Sequence, residues 1–410
     1  MTGWDAAAVR ARFPALTGEG VPPHVPLDNA ATTHRPAAVL AAIERFYREA
    51  NANVHRANHR LGMAATEAYE GARRRVARFL EARPEEVVFT RNATDAVNLA
   101  ARAFVEPRVG AGDAVVVTAL EHHSNLVPWQ QLCRRTGAEL VVLPVDDRGL
   151  PAGDWALPPN ARFLAATRVS NAVGTIVDTT SLVAAARAAG VPVLLDVTQA
   201  AGHLPLDEGS RAADFLALSA HKMYGPLGVG VLRARSEHLE AMEPVSFGGE
   251  MVASVSQEAA EWNRPPWRFE AGTPAVAPVA AFPPALDLLD ELGLAAVRAH
   301  ELELLGRLLE GLAGVEGVEI VGPPAPEDRS GAVSFVVPGG DPHVAATVLD
   351  LSGVAVRCGW HCAEPLLRGL GRGPTLRASV ALYSTPEDVD RLLEALPAAV
   401  ASCRDPAPNH

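Results

Sequence analysis

The segment Ser219-Ala220-His221-Lys222-Met223-Tyr224-Gly225-Pro226 puts a lysine directly after an apolar run, Asp214 to Ser219, that reads as a buried strand. Burial penalises a free ammonium and favours the neutral amine that condenses with an aldehyde, so Lys222 is a candidate for Schiff-base chemistry. The competing reading is a surface lysine in a turn, since lysine is rarely buried. The neighbours weigh against it. The run Val191 to Leu195 ends in Asp196, with Gln199 three residues on, and an ionised Asp at a strand end needs a cation. The pyridinium nitrogen of pyridoxal phosphate is such a cation, and an Asp held there keeps the ring protonated as an electron sink.

Other segments supply further groups for such a site. Val87 to Thr90 leads into Arg91-Asn92-Ala93-Thr94-Asp95 and a helix, where backbone N–H groups and the Thr94 hydroxyl would face an anion; the same pattern is also an ordinary helix cap. His122, in Glu121-His122-His123-Ser124-Asn125, follows the run Ala114 to Thr118 and either stacks on a planar ring or serves packing alone. Cys362 is a nucleophile if His361, Arg357 or Arg377 favours its thiolate. Its alternatives are a small buried hydrophobe, or a metal ligand with Cys358 and His361 in a set that lacks an obvious fourth member.

Elements that position these residues follow from the apolar pattern. Strands are expected at Val87–Thr90, Ala114–Thr118, Leu140–Val145, Phe163–Thr167, Val193–Asp196, Phe215–Ser219 and Val229–Ala234, with helices such as Ala96–Ala103, Pro128–Thr136 and Ser181–Ala189 between them. This alternation predicts an α/β fold, a mostly parallel sheet flanked by helices, with ligands at the strands' C-terminal ends. After Thr273 the pattern changes to a Pro/Ala-rich passage, a long helix over Ala285–Leu312 and strands at Ala332–Val337 and Val354–Arg357, which predicts a smaller α+β domain. Thr385 is its last helix's expected N-cap, with Asp388 completing a capping box, and the tail Asp405–His410 is read as frayed.

Composition excludes several classes. The 410 residues carry a net charge of −12 and no basic block for a nucleic-acid surface. No apolar run approaches the ~18–20 residues that span a bilayer, and the N-terminus lacks a signal-peptide pattern, so a soluble, cytoplasmic chain is expected. Four cysteines, Cys133, Cys358, Cys362 and Cys403, are too few and too scattered for a disulfide scaffold.

Taken together, Asp196-x2-Gln199, Ser219-x-His221-Lys222, Glu121-His122-His123-x-Asn125, Arg268-x-Glu270-x-Gly272-Thr273-Pro274 and Arg357-x-Gly359-x-His361-Cys362-Ala363-x-Pro365 resemble the SUF-type (group II) cysteine desulfurases of the class V aminotransferase-like family. The resemblance runs from Leu27-Asp28-Asn29-Ala30-Ala31 to Leu376-Arg377-Ala378-Ser379. It implies the fold type I of pyridoxal-phosphate-dependent transferases. Residues 1–30 would be a segment packing with the small domain, 31–276 the large cofactor domain and 277–410 the small domain carrying Cys362.

The resemblance also implies roles. Lys222 would hold pyridoxal 5′-phosphate, Asp196 pair with its ring nitrogen, Gln199 bond the ring hydroxyl and His122 stack on the ring and move a proton. Ala93, Thr94, Ser219 and His221 would take the phosphate, and Thr273 would reach the phosphate in a partner subunit of a homodimer. Arg377 would clamp the substrate carboxylate with Asn171, Arg357 and Ala30 nearby, and Cys362 would accept sulfur from L-cysteine, or from L-selenocysteine its selenium, for a sulfur-acceptor protein. No metal is expected. The rival readings are a class V aminotransferase, epimerase or C–S lyase, including selenocysteine lyase, in which Cys362 is incidental, and a catalytically silent scaffold. Trp360 departs from the family, which often has His or Gln there.

Overall fold

The structure, a computed structural model, describes residues 4–18, 24–56, 58–153 and 155–404. The tail Asp405–His410, read above as frayed, lies outside them. Seven strands make the main sheet: β1 (Val87–Thr90), β2 (Ala114–Thr118), β3 (Glu139–Leu143), β4 (Ala161–Thr167), β5 (Val193–Asp196), β6 (Phe215–Ser219) and β7 (Gly230–Ala234). They lie in the order β1-β7-β6-β5-β4-β2-β3. β7 runs antiparallel to both its neighbours, β1 and β6, and the other neighbouring pairs are parallel.

Both faces of this sheet are covered, which is why its strands read as nearly continuous apolar runs. Val115, Val117, Phe215 and Ala217 enter one apolar cluster, while Val116, Leu216 and Leu218 enter another on the opposite face. Helices α1 (Ala37–Glu49), α2 (Arg60–Phe79) and α5 (Thr179–Ala188) add Val39, Tyr69 and Leu182 to the second cluster; α3 (Ala93–Ala100) and α4 (Val127–Thr136) add Val97 and Trp129 to the first. Each such side chain contributes roughly 1.5–3 kcal/mol when fully buried.

The C-terminal part holds helices α6 (Pro283–Leu292), α7 (Leu294–Ala313), α8 (Pro342–Leu351) and α9 (Pro386–Arg404). Its antiparallel sheet has strands β8 (Glu319–Val321), β9 (Ala332–Val336), β10 (Arg357–Gly359) and β11 (Thr375–Ser379) in the order β8-β9-β11-β10. Leu305, Phe335, Leu349 and Leu396 share a third cluster with Leu27. The expected capping box is present: Thr385 Oγ1 accepts from the Asp388 N–H at 3.3 Å, and Asp388 Oδ2 accepts from the Thr385 N–H at 3.0 Å.

Several expected boundaries move. The single helix over 285–312 breaks at Gly293, whose φ of 75° and ψ of 120° interrupt the helical ladder. The strand expected at Val354–Arg357 is two pieces, Val354–Ala355 beside Val25–Pro26 and Arg357–Gly359 beside β11. Strand β3 stops at Leu143 because Pro144 has no N–H for the ladder. The helix expected at Ala96 begins at Ala93, where Asn92 Oδ1 accepts from the Asp95 N–H, and it ends in a wide turn over Ala101–Val105. Strand β7 begins at Gly230, not Val229, and a Cβ at 230 would fall 2.3 Å from the Asn92 carbonyl carbon. Only glycine allows β7 to approach the start of α3 this closely. No helix among the described residues is long and apolar enough to cross a membrane.

Candidate active site

Strands β2, β4, β5 and β6 are parallel, so their C-terminal ends open on one edge, where ligands of such sheets bind. There an open cavity of about 330 Å³ lies between the strand ends, the segment near Ala30 and the C-terminal sheet. Small-molecule sites start at about this size. Lys222, Asp196, Gln199, His122, Ala93, Thr94, Ser219 and His221 line it, as do Asn171, Arg357, Cys362, Arg377 and Ala30. Of the expected site residues, only Thr273 is elsewhere.

Lys222 sits in a tight turn after β6, and Asp196 ends the neighbouring β5. Burial is the main cause that lowers the Lys222 ammonium to about 8; Asp196 works against it, and the Arg377 guanidinium with it. Burial also raises the Asp196 carboxyl, opposed by Thr198, whose N–H donates to Asp196 Oδ1 at 2.9 Å, and by Lys222. A buried carboxylate this close to a lysine of softened charge is arranged to receive a second cation. The turn is held from outside: the Thr33 N–H and the Thr32 hydroxyl donate to the His221 carbonyl, and the Tyr224 N–H donates to Thr33 Oγ1 at 2.9 Å. Tyr224 needs that restraint, because its φ of 65° is left-handed.

At the start of α3 the Ala93 N–H donates to Ser219 Oγ at 2.8 Å, Thr94 Oγ1 lies 2.6 Å from Ser124 Oγ, and His221 Nδ1 lies 3.1 Å from Thr32 Oγ1. Helix dipole, hydroxyls and imidazole thus converge at one end of the cavity and suit an anion. Burial, then Lys222, keeps His221 down at about 4. Gln199 Nε2 donates to the Ala30 carbonyl at 2.7 Å.

His122 accepts the Ser124 N–H at Nδ1 over 3.0 Å, which leaves the neutral ring's proton on Nε2. Burial first, then Lys222, lowers it to about 3. Beneath it Glu121, 2% exposed, receives Thr118 Oγ1, Asn125 Nδ2 and the Thr167 N–H at 2.5, 2.6 and 2.8 Å, tying the ends of β2 and β4 together. Burial lifts this carboxyl to about 8 against those donors.

Cys362 is exposed at the cavity mouth. Its φ is 54° and that of His361 is 51°, two consecutive left-handed residues that each cost on the order of 1–3 kcal/mol. Contacts pin the pair: Asn171 Nδ2 donates to the His361 carbonyl at 2.6 Å, His361 Nε2 pairs with Thr375 Oγ1 at 2.8 Å, and the His123 N–H donates to the Cys362 carbonyl at 2.7 Å. Arg377, 2% exposed, donates to the Asn171 carbonyl at 2.8 Å and to Asp28 Oδ1 at 3.2 Å. Asp28 also takes Arg357 at 2.9 Å. Among the described residues, Arg377 Nε and Asn171 Oδ1 are buried without a hydrogen-bond partner, one donor and one acceptor unsatisfied beside the cavity. The same cavity fits the expected cofactor by its donor set: an anion end, an aldehyde-reactive lysine and a buried carboxylate.

Thr273 is exposed and lines a separate cavity of about 390 Å³ with Asp95, Asn98 and Arg102. Its loop is anchored by Glu270, which takes both Arg73 Nη atoms at 2.6 and 2.8 Å and the Phe89 N–H at 2.7 Å. The alternative metal set is not assembled. Cys358 Sγ faces His343 Nδ1 at 3.2 Å while His361 faces Thr375, and no group of three or more potential ligands occurs among the described residues. Trp360 is half-buried beneath the Arg368 guanidinium, 4.8 Å from its ring centre. Sequence reasoning gave no role to Asp28, Thr32, Thr33, Thr198 or His123, which hold the expected residues in place; the nearest signal was the Leu27-Asp28-Asn29-Ala30-Ala31 run, where a lone acid interrupts small and apolar residues.

The profile of the family described as Aminotransferase class-V matches residues 25–392. A protein named "Probable cysteine desulfurase" from Halalkalibacterium halodurans is 42% identical over 397 residues, covering 96% of this chain and 97% of its own. A cysteine desulfurase from Cronobacter sakazakii is 42% identical over 394 residues, with 95% and 96% covered. Among solved structures, the Escherichia coli cysteine desulfurase CsdA, in its S-sulfonic acid form, superposes with a TM-score of 0.89 at 37% identity over 97% of this chain and 99% of that one.

Proposed function

Because this chain belongs to the class-V aminotransferase family, we infer from its cavity that it is a pyridoxal-phosphate-dependent cysteine desulfurase, which removes sulfur from L-cysteine and leaves L-alanine. The observation that carries this reading is the meeting of a buried lysine and aspartate with an exposed cysteine in one cavity. Bound pyridoxal phosphate supplies an electron sink.

The chain's own residues do the rest. Lys222 Nζ would hold the cofactor and, as a free amine, would take the substrate's Cα proton; its lowered pKa leaves a useful fraction of free amine near neutrality. Asp196 would pair with the ring nitrogen, Gln199 with the ring hydroxyl, and Ala93, Thr94, Ser219 and His221 would take the phosphate. Arg377 takes the substrate carboxylate beside Asn171, Arg357 and Ala30. His122 Nε2 carries a proton within the same cavity. The Cys362 thiolate attacks the substrate sulfur, the C–S bond breaks with its electron pair left on carbon, which takes a proton to become the methyl group of alanine, and a persulfide remains on Cys362.

The finer reading is a cytoplasmic SUF-type homodimer. Residues 31–276 hold the cofactor, residues 277–410 carry Cys362, and residues 1–30 pack with the latter. Thr273 from the partner completes the phosphate site, and a sulfur-acceptor protein takes the persulfide sulfur for iron–sulfur or thio-cofactor assembly. The exposure of Thr273, away from its own chain's cavity, supports that placement. The same attack works on selenium, so L-selenocysteine belongs to the substrate class. The test is incubation with L-cysteine, with and without a thiol-bearing acceptor, while alanine and sulfide are measured; alanine at the background rate in both would remove the reading.

A further inference from the structure

His122 and Cys362 come from elements far apart in the chain, yet the residue beside His122 grips the cysteine loop at two points. The His123 backbone N–H donates to the Cys362 carbonyl at 2.7 Å, and His123 Nε2 accepts the Glu364 N–H at 3.3 Å. The two bonds bracket Ala363 and fix the peptide on the C-terminal side of the thiol. That loop has a need for such a grip, because Cys362 and the preceding His361 are both held in left-handed conformations that a released loop would abandon. On the other side His361 is held by Asn171 and Thr375; downstream, His123 adds its side-chain hydrogen bond to the anchoring by buried Ala363, Leu366 and Leu367.

We propose that His123 is a positioning residue for sulfur transfer: its Nε2, as an acceptor, holds the Cys362 turn so that the thiol meets the substrate sulfur. In the neutral ring this leaves the proton on Nδ1, opposite to the arrangement in His122, where Nδ1 accepts and Nε2 carries the proton. Adjacent histidines thus have divided tasks, one carrying a proton in the cavity and the other holding the nucleophile's backbone. This inference rests on the desulfurase reading for its catalytic consequence but not for its structural one.

The experiment uses the holoenzyme with His123→Phe, which keeps a ring without an acceptor, and His123→Gln, whose Oε1 reaches near the Nε2 position. His123→Ala takes the place of the Phe variant if that one does not fold. Two rates are read: iodoacetamide alkylation of Cys362 without substrate, and persulfide formation on Cys362 after one addition of L-cysteine. The change in visible absorbance on adding L-cysteine reports substrate binding. His123→Phe is expected to change the alkylation rate and to slow persulfide formation by up to about a hundredfold, the cost of misplacing a reacting group by about 1 Å, with the absorbance change kept. His123→Gln is expected to recover most of both rates. Equal alkylation rates in wild type, Phe and Gln variants, or a Gln variant no better than Phe, would overturn the proposal. Absence of persulfide in the wild type would instead remove the desulfurase reading, and the alkylation comparison would still decide the role of His123.

Discussion

Arg377 Nη2 lies 3.2 Å from Asp28 Oδ1, so the buried guanidinium expected to clamp a substrate carboxylate already faces one supplied by the chain. Burial is the main influence on it and brings it to about 10, with Asp28 opposing. A guanidinium at that value stays charged at neutral pH, and its Nε has no partner among the described residues. Arg377→Lys removes the planar fork while keeping a charge. The expected result is a KM for L-cysteine raised roughly ten- to hundredfold, the equivalent of ~1.5–3 kcal/mol for a charged hydrogen bond. A KM unchanged in steady-state alanine production would move the carboxylate site elsewhere.

Lys222 sets a pH dependence whose sign is fixed by its lowered pKa. Below about 8 the side chain is mostly ammonium, which does not attack an aldehyde, and above about 8 it is mostly free amine. Uptake of pyridoxal phosphate by the apoprotein, followed by visible absorbance, should therefore rise about tenfold per unit below that value and flatten above it. A rate still climbing tenfold between about pH 9 and 10, as for an ordinary lysine, would show that burial does not act on this amine.

Thr273 offers a test of assembly. If its hydroxyl completes the partner's phosphate site, the holoprotein is a dimer by light scattering, and Thr273→Ala loses cofactor faster on dilution while its own cavity residues are intact. A twofold-symmetric interface of this kind contributes both sites at once. A monomer that retains the cofactor as well as wild type would refute the shared site.

Cys358 is three residues before His361 in sequence, but it does not serve the cavity. On β10 side chains alternate, and Arg357 lies on the cavity side while Cys358 faces His343 on α8. Cys358→Ser is expected to leave alanine production within about twofold of wild type, as for a substitution away from the reacting atoms. Loss of activity on that change would place Cys358 in the transfer path.

The residues readable from sequence were those that break a local rule. A lysine and an aspartate at the ends of buried strands are conspicuous because burial makes them costly, and Lys222 and Asp196 could be paired on that ground alone. Strand positions were readable for the same reason, since β2 and β4 to β6 are apolar on both faces. What could not be read was the arrangement that depends on distant partners. Asp28 and Arg377 are 349 positions apart, and nothing local marks Asp28 as the acid that two arginines share. The grip of His123 on Glu364 spans 241 positions and uses a backbone N–H, which carries no residue-type signal. Helix α1 was missed because its buried Val39 and Phe46 are mixed with exposed Leu40 and Tyr47, and α2 because its buried face is made largely of Gly62, Ala65, Ala72, Arg73 and Arg75 while Leu61 and Met63 are exposed. The split of the long helix at Gly293 turned on one φ angle, which glycine permits but does not announce.

The central claim is that sulfur passes from L-cysteine to Cys362, and mass spectrometry of the Cys362 peptide tests it most directly. Wild-type holoenzyme given L-cysteine without a reductant should gain the mass of one sulfur atom on that peptide, in step with alanine release. Cys362→Ala should still bind the cofactor and still change its absorbance with L-cysteine, because Lys222, Asp196 and Arg377 are untouched, but should release almost no alanine. Alanine at the wild-type rate from Cys362→Ala, with no added sulfur on the wild-type peptide, would contradict the account and leave a lyase or aminotransferase that uses the same cavity without its cysteine.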